Sequence, residues 1–453
     1  MTQPPAFTTG AAPGRLPLLG HALPLRRRPL EFLAALPALG DLVTVHFGPT
    51  PARVACHPEL VRQILRDPQT YDKGGPVFDR ARVLLGNGLV TCNREEHRVQ
   101  RRLLQPAFHS ARLAGYAAAV GAETERAIAG WRPGTVVELD TLLHVLTARV
   151  TARTLFATEL ADGLVDEVAY CLGVLVSGMY QRMTVPLGLL ERLPTPGNRR
   201  FQRALDRLGV IIDSLIEEYR HSPQDRGDLI SALLAVRDEE SGAGLSGGEV
   251  HDQVMTVLSA GTETTANAIA WAFHLLAANP TPERRLHAEL DRVLAGRPPV
   301  PGDLPELRYT RQVVTESLRL MPPVWLLTRV TTADAVLGGH RLPAGSTVAF
   351  SPYSLHRDPA LFADPDSFDP DRWQPERQTE VPRGAMVPFG AGARKCIGDV
   401  FALNEAVLVL AGMAGRWRLR PVTDRQVRPE PRMTLGTGAL PMLPEPRRAG
   451  AVV

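Results

Sequence analysis

Pro388-Phe389-Gly390-Ala391-Gly392-Ala393-Arg394-Lys395-Cys396-Ile397-Gly398 is a glycine-rich loop that closes on one cysteine. Three glycines beside one thiol let the backbone turn tightly and come close to something flat. An apolar helical pattern follows, Val400 to Trp417. A cysteine entering a helix lies near the positive end of its dipole, which favours the thiolate. The other cysteines, Cys56, Cys92 and Cys171, are far away in sequence. One thiolate suits a metal held by a single protein ligand, as heme iron is. The plain alternative is a buried thiol beside a helix cap, the commoner fate of one cysteine.

The rest of the chain limits what such a loop can serve. At 453 residues with a net charge of +3, there is no global nucleic-acid signal. Lysine occurs only at positions 73 and 395, so nearly all of the 51 basic residues are arginine. The scattered cysteines form no C-x-x-C pair, which argues for a reducing compartment and against a disulfide framework or zinc ribbon. The N-terminus has no apolar run near the ~18 residues of a membrane span and no signal-peptide core. A cytoplasmic protein with no membrane span is expected. Nothing marks a clean boundary, so residues 1–453 read as a single domain with a proline-rich lead-in over 1–30.

Along the chain, Leu42–Phe47 and Arg53–Cys56 predict a hairpin, followed by a short helix over Glu59–Arg66. Gly74–Val90, with four glycines, reads as a long functional loop. Arg94–Phe108 reads as an arginine-dense helix. Helical patterns then dominate Leu113–Leu234, with breaks at 131–134, 186–198 and 222–227. A polar connector over 238–248 ends in a capping box, Ser246 with Glu249. It opens about thirty helical residues ending at Ala278, a length of about 45 Å. Val324–Phe350 reads as strands, His356–Gly384 as a meander, and Met433–Leu440 as a final hairpin. The fold class is mainly α with small β-sheets.

At the middle of the long helix stands Ala260-Gly261-Thr262-Glu263-Thr264-Thr265. Glycine and three threonines are poor helix formers, and such a local violation often marks a functional site. Gly261 would let a flat ligand or dioxygen approach the backbone, and Glu263 beside Thr264 offers an acid and an alcohol for proton transfer. The alternative is a threonine bonding back to the preceding turn. His97 and Arg101 share a helix face, with Arg94, Arg98 and Arg102 nearby; a solvated basic face would look the same.

Phe389, Gly392, Arg394, Cys396 and Gly398 together resemble the heme-binding signature of the cytochrome P450 family, five fixed positions within ten residues. Nearly the whole chain follows the family's order of motifs, from Pro13-Gly14 to the Met433 region, and Ala402 and Glu405 after the loop fit too. The resemblance implies the cytochrome P450 fold, with heme b (iron protoporphyrin IX) between the long central helix and the cysteine loop. It implies Cys396 as the axial ligand, with Ala260 and Gly261 against the heme. His97, Arg101, Arg329 and Arg394 would hold the propionates, although many members carry Trp at the position of His97. Glu263 and Thr264 would protonate the distal oxygen. E-x-x-R occurs eight times here. Glu316–Arg319 is selected because it precedes Phe368-Asp369-Pro370-Asp371-Arg372-Trp373, which is similar to the family's meander. Arg372 would then complete a buried structural triad with Glu316 and Arg319.

Phe78, Met179, Val257, Ala260, Val324, Trp325 and Leu326 fall in segments that line the family's pocket; each could equally be plain core. Their scarcity of ionisable groups favours an apolar substrate. The stretch Gly178–Gly188 is similar to actinobacterial members that oxidise sesquiterpenes, of the albaflavenone-synthase and pentalenene-oxygenase type. The resemblance therefore implies a heme-thiolate monooxygenase inserting one oxygen atom of dioxygen into a terpenoid of secondary metabolism. A fatty-acid, polyketide or macrolide hydroxylase of the same family is the alternative. A peroxygenase and a non-enzymatic heme sensor are alternatives of another class. Ferredoxin and an NAD(P)H-dependent ferredoxin reductase are the implied electron donors, with Lys395 and the exposed arginines as a possible basic docking patch. A monomer is expected.

Overall fold

The computed structural model describes residues 7–156, 161–184, 193–221, 225–237, 242–422 and 427–447. The chain divides into two compact units, each built from two separate segments: Met1–Asp79 with Leu318–Cys396, and Arg80–Ser317 with Ile397–Val453.

The first unit is built on a six-stranded sheet. Its strands are β1 (Thr9–Ala11), β2 (Leu42–Phe47), β3 (Thr50–Ala55), β4 (Tyr71–Asp72), β5 (Leu327–Thr331) and β6 (Thr347–Phe350). The spatial order is β1-β2-β3-β6-β5-β4. The expected hairpin is present, with Val43 opposite Val54 and Gly48 turning at φ +61°. Alternation sends Val43, Val45 and Val54 to one face, over Leu33 and Leu36. Leu42, Ala55, Val348 and Phe350 go to the other. There they meet helix α1 (Pro58–Arg66), whose Leu60, Val61, Ile64 and Leu65 form one apolar stripe. Gly338 and Gly339, both at positive φ, turn the small strand pair 335–337 and 340–342.

The segment 74–90 is not a loop. Residues Pro76–Leu85 form helix α2, with Ala81 and Leu84 buried at helical spacing. The glycines that suggested a loop all lie outside it: Gly74 and Gly75 before, Gly86 and Gly88 after. The latter two are there for close approach. A Cβ on Gly86 would meet the Asp252 carboxylate at 1.9 Å, and one on Gly88 the Thr256 hydroxyl at 2.1 Å.

Asp252 and Thr256 belong to the second unit, which is helical. Helix α3 (Arg94–Leu104) is followed by α4 (Leu139–Phe156), α5 (Gly247–Ala278), α6 (Arg308–Leu320) and α7 (Asp399–Arg416), α6 ending in the first unit. The capping box forms as expected: Glu249 N–H donates to Ser246 Oγ at 3.2 Å, and Ser246 N–H to Glu249 at 2.8 Å. α5 packs most extensively on α4. The expected hairpin at 433–440 lies earlier, as β8 (Glu430–Pro431) and β9 (Leu435–Gly436). It follows strand β7 (Trp417–Pro421). A further strand, β10 (Pro441–Pro446), then pairs β7 with Leu419 opposite Pro444. Its three prolines hid it as breakers, yet Met442 and Pro444 alternate inward as any strand requires. Of the stretch Gly178–Gly188, residues after 184 lie outside the described ones, as do parts of the breaks at 186–198, 222–227 and 238–248.

Candidate active site

The cysteine loop belongs to the first unit and is held by its backbone. Cys396 N–H donates to Phe389 O at 2.9 Å and Lys395 N–H to Gly392 O at 3.1 Å, which closes the loop on itself. The Cys396 thiol is exposed. It does not stand within the helix that follows: Gly398 is the N-cap of α7 and Asp399 its first residue. Gly392 has φ +68°, and a Cβ there would sit 2.1 Å from the carbonyl oxygen of Leu65 at the end of α1. Gly392→Ala must adopt left-handed backbone at about 1–3 kcal/mol and also push the loop off α1. We expect this variant to purify with substoichiometric heme, read as Soret absorbance per protein.

His356, which the sequence did not single out, anchors the start of the loop. It is completely buried, and burial drives its pKa down to about 3, so the ring is neutral. Its Nδ1–H donates to Arg319 O at 3.1 Å, and its Nε2 accepts from Val387 N–H at 3.0 Å. Arg319 in turn donates to the carbonyls of His356, Pro365 and Ser367 at 2.6–2.9 Å. Arg319 and Arg372 lie 5.2 and 6.0 Å from the same Phe362 ring. Glu316 and Arg319 are both fully buried. By contrast, Glu59–Arg62 and Glu217–Arg220 are ion pairs open to solvent. Burial thus distinguishes the E-x-x-R that sequence context had selected.

Arg329 and Arg394 are both buried, and Arg394 pairs with Asp72. Burial, then the nearby Arg394 charge, lowers the Arg329 pKa to about 10, with Asp72 opposing. Two buried guanidiniums share one carboxylate among these three groups. The excess positive charge fits an acidic ligand such as a heme propionate, and the donor set, one soft thiolate, fits heme iron. Asp72 carries no sequence signal that would have revealed it. In the second unit, His97 is buried on α3 and Arg101 half-buried, while Arg94 and Arg98 face solvent. The basic-face reading therefore holds for the latter two.

On α5, Thr262 and Thr264 donate back to Leu258 O and Ala260 O, each at 2.7 Å. Back-bonding, the plainer reading of this stretch, is what these hydroxyls do. Thr264 therefore has its proton committed and lone pairs to offer, which makes it an acceptor. Gly261 faces α4: a Cβ there would touch the Thr151 hydroxyl at 3.4 Å, and Thr147 Oγ1–H donates to Thr262 O at 2.9 Å. Glu263 stands about 100° around the helix from Thr264, and Thr434, His144 and Arg432 each favour its charged form. Burial, the dominant effect, raises its pKa above the usual carboxylate range.

Of the proposed pocket residues, Met179 is sealed in the helical core, with Val257 half-buried against it. Trp325 and Leu326 pack on the sheet core. Phe78 and Val324 are half-buried. Ala260 is exposed, and with half-buried Val257 and Thr264 it forms an accessible strip at the middle of α5.

The cytochrome P450 family model matches residues 11–447. The chain belongs to the cytochrome P450 family, whose members bind heme through a cysteine thiolate. It is 55% identical to cyclooctat-9-en-7-ol 5-monooxygenase of Streptomyces melanosporofaciens, over 97% of this chain and 96% of that one. It is 54% identical to cyclooctatin synthase of the same organism, over 96% and 95%. Pentalenene oxygenase of Streptomyces avermitilis is 47% identical over 93% and 94%. The crystal structure of the cytochrome P450DA heme domain superposes with a TM-score of 0.88 at 26% identity, covering 98% of this chain and 99% of that one. The chain is a cytochrome P450 monooxygenase. No helix among the described residues is long and apolar enough to cross a membrane.

Proposed function

We propose that this enzyme oxidises a cyclic terpenoid of secondary metabolism, either a terpene alkene or an alcohol derived from one. The observation that carries the reading is identity of 47–55%, nearly end to end, with three enzymes named for cyclooctat-9-en-7-ol, cyclooctatin and pentalenene. The sesquiterpene expectation is thereby widened, because only one of those names is pentalenene. The apolar strip of Val257 and Ala260 on α5 supports an apolar substrate over a charged one.

The bound cofactor in this reading is heme b, with Cys396 as iron ligand and Arg329 and Arg394, joined by His97 and Arg101, on its propionates. When bound, it supplies the iron at which dioxygen is reduced and one oxygen atom reaches carbon. The chain's own groups do the rest. Phe389 and Gly392 shape the loop that presents the sulfur. Thr264 accepts a hydrogen bond at Oγ1, and Glu263 delivers protons from its buried carboxyl. Glu316, Arg319 and Arg372 hold the loop's support in place. We further propose ferredoxin and an NAD(P)H-dependent ferredoxin reductase as electron donors, a cytoplasmic location, and a monomer.

A panel of cyclic terpene alkenes, their mono-alcohols, fatty acids and macrolides tests the substrate class by ligand-induced shifts of the Soret band. Shifts with terpene alkenes or alcohols are expected. Shifts confined to fatty acids or macrolides would overturn the terpenoid reading. Turnover supported by peroxide but absent with reductase and dioxygen would favour a peroxygenase; the acid at Glu263 speaks against that outcome.

A further inference from the structure

Leu16 to Gly20 form a small hairpin whose base is fixed and whose tip is bare. Leu16 N–H donates to Gly20 O at 2.9 Å, and Gly20 N–H to Leu16 O at 2.8 Å. Gly20, at φ +57°, lies so close to the β2–β3 hairpin that a Cβ would run into the carbonyl oxygens of His46 and Gly48. Buried His21 follows it. Its Nδ1 accepts from His46 N–H at 2.9 Å, so Nε2 carries the proton and donates to Ala12 O at 3.1 Å. The sheet therefore holds the tip out. On it Leu18 is 84% exposed, with Leu16, Leu19 and Leu23 at 40–56%. These four leucines lie within eight residues, whereas elsewhere among the described residues exposed large apolar side chains are isolated in sequence. Leu18 also has φ +59°, a left-handed conformation that costs leucine more than glycine or asparagine. Neither packing nor backbone explains a leucine there.

Charge accompanies the cluster. Residues 1–40 hold Arg15, Arg26, Arg27 and Arg28 against Glu31 alone, a net +3 that equals the whole chain's, so the remainder is balanced. All four arginines are exposed. Arg28 pairs with Glu31 at 3.4 Å, which leaves Arg15, Arg26 and Arg27 uncompensated. Ala22 N–H donates to Leu19 O at 3.0 Å, joining the tip to the short helix Ala22–Arg27. On that helix Leu23 shares a face with Arg26 and Arg27, three and four residues on. Leucines beside uncompensated cations match a surface of anionic lipid, where the apolar tip enters the acyl boundary and the guanidiniums meet phosphate. A folded protein partner needs a broad complementary face; a projecting tip of a few leucines suits a soft surface that it can enter. We propose that this tip and the helix after it bind the surface of an anionic bilayer without spanning it. Terpene alkenes partition into lipid, so the contact places the enzyme beside its proposed substrate; the surface itself does not rest on that substrate class.

The test is co-sedimentation of the holoenzyme with vesicles of phosphatidylglycerol and phosphatidylethanolamine, against vesicles of phosphatidylcholine alone. Binding to the anionic vesicles, weakened by salt, is expected, with little to the neutral ones. Leu18→Asn keeps a residue that accepts left-handed backbone and removes the apolar tip. It should bind about tenfold more weakly, while its unfolding midpoint and heme content stay native. Arg26→Gln combined with Arg27→Gln should lose about fivefold per arginine, and on anionic vesicles only. No binding by the unaltered protein, equal binding to both kinds of vesicle, or binding that both variants leave intact would overturn the proposal. So would a monomer–dimer equilibrium, followed by analytical ultracentrifugation, that Leu18→Asn abolishes without altering vesicle binding; the leucines would then cover a second copy of the chain.

Discussion

Arg319→Leu is expected to leave little folded protein. Arg319 is completely buried and supplies donors to three carbonyls, those of His356, Pro365 and Ser367. Leucine fills much of the volume and none of the hydrogen bonds. Each of the three orphaned buried acceptors costs about 1–3 kcal/mol. Against a typical total of about 5–15 kcal/mol, that loss is large. It also leaves the His356 carbonyl without its donor, on the residue whose Nε2 holds Val387 at the entrance to the cysteine loop. Arg319→Lys should fail nearly as badly, because one ammonium cannot serve three carbonyls in the geometry of a planar fork. Soluble yield, midpoint of urea unfolding and heme per protein measure this. A variant of native stability and heme content would show that the buried guanidinium is dispensable.

Glu263→Gln has the largest expected effect on activity. The amide keeps the shape and cannot release a proton, and a positioned general acid is worth roughly 10²–10⁴-fold. Product formation should fall about 100-fold while dioxygen consumption continues, with the electrons recovered as hydrogen peroxide. The native enzyme should also lose coupling as pH rises. Burial holds the Glu263 pKa above its ordinary value, so the acid form persists to higher pH than an ordinary carboxyl's and is lost as pH passes through that raised value. Glu263→Gln should lack this limb of the profile. Stoichiometry of product and peroxide per NAD(P)H across pH measures both effects; an unchanged ratio in the variant would remove Glu263 from proton delivery.

The cysteine loop, the long helix with its capping box, and the β2–β3 hairpin were legible because each carries a strong local signal: fixed glycines, an end cap, alternation. α2 was hidden because the glycines at 74–75 and 86–88 mark its two ends, and a count of glycines does not distinguish ends from interior. β10 was hidden by prolines at 441, 444 and 446, which are tolerated in this strand. The acid at Glu263 could be read from its neighbours, but its partners could not. Thr434 lies far along the chain, and only folding brings it to α5. His356 and Asp72 were silent for the same reason, each an ordinary residue in a nondescript stretch until burial gives it a partner.

The central claim is that the Cys396 sulfur holds the iron, and the carbon monoxide adduct of the ferrous protein tests it most directly. The wild-type protein should show the strongly red-shifted absorption of a thiolate-ligated heme, and Cys396→Ser should lose that band while any heme it retains shows an unshifted one. A Cys396→Ser protein that keeps the red-shifted band would contradict the account.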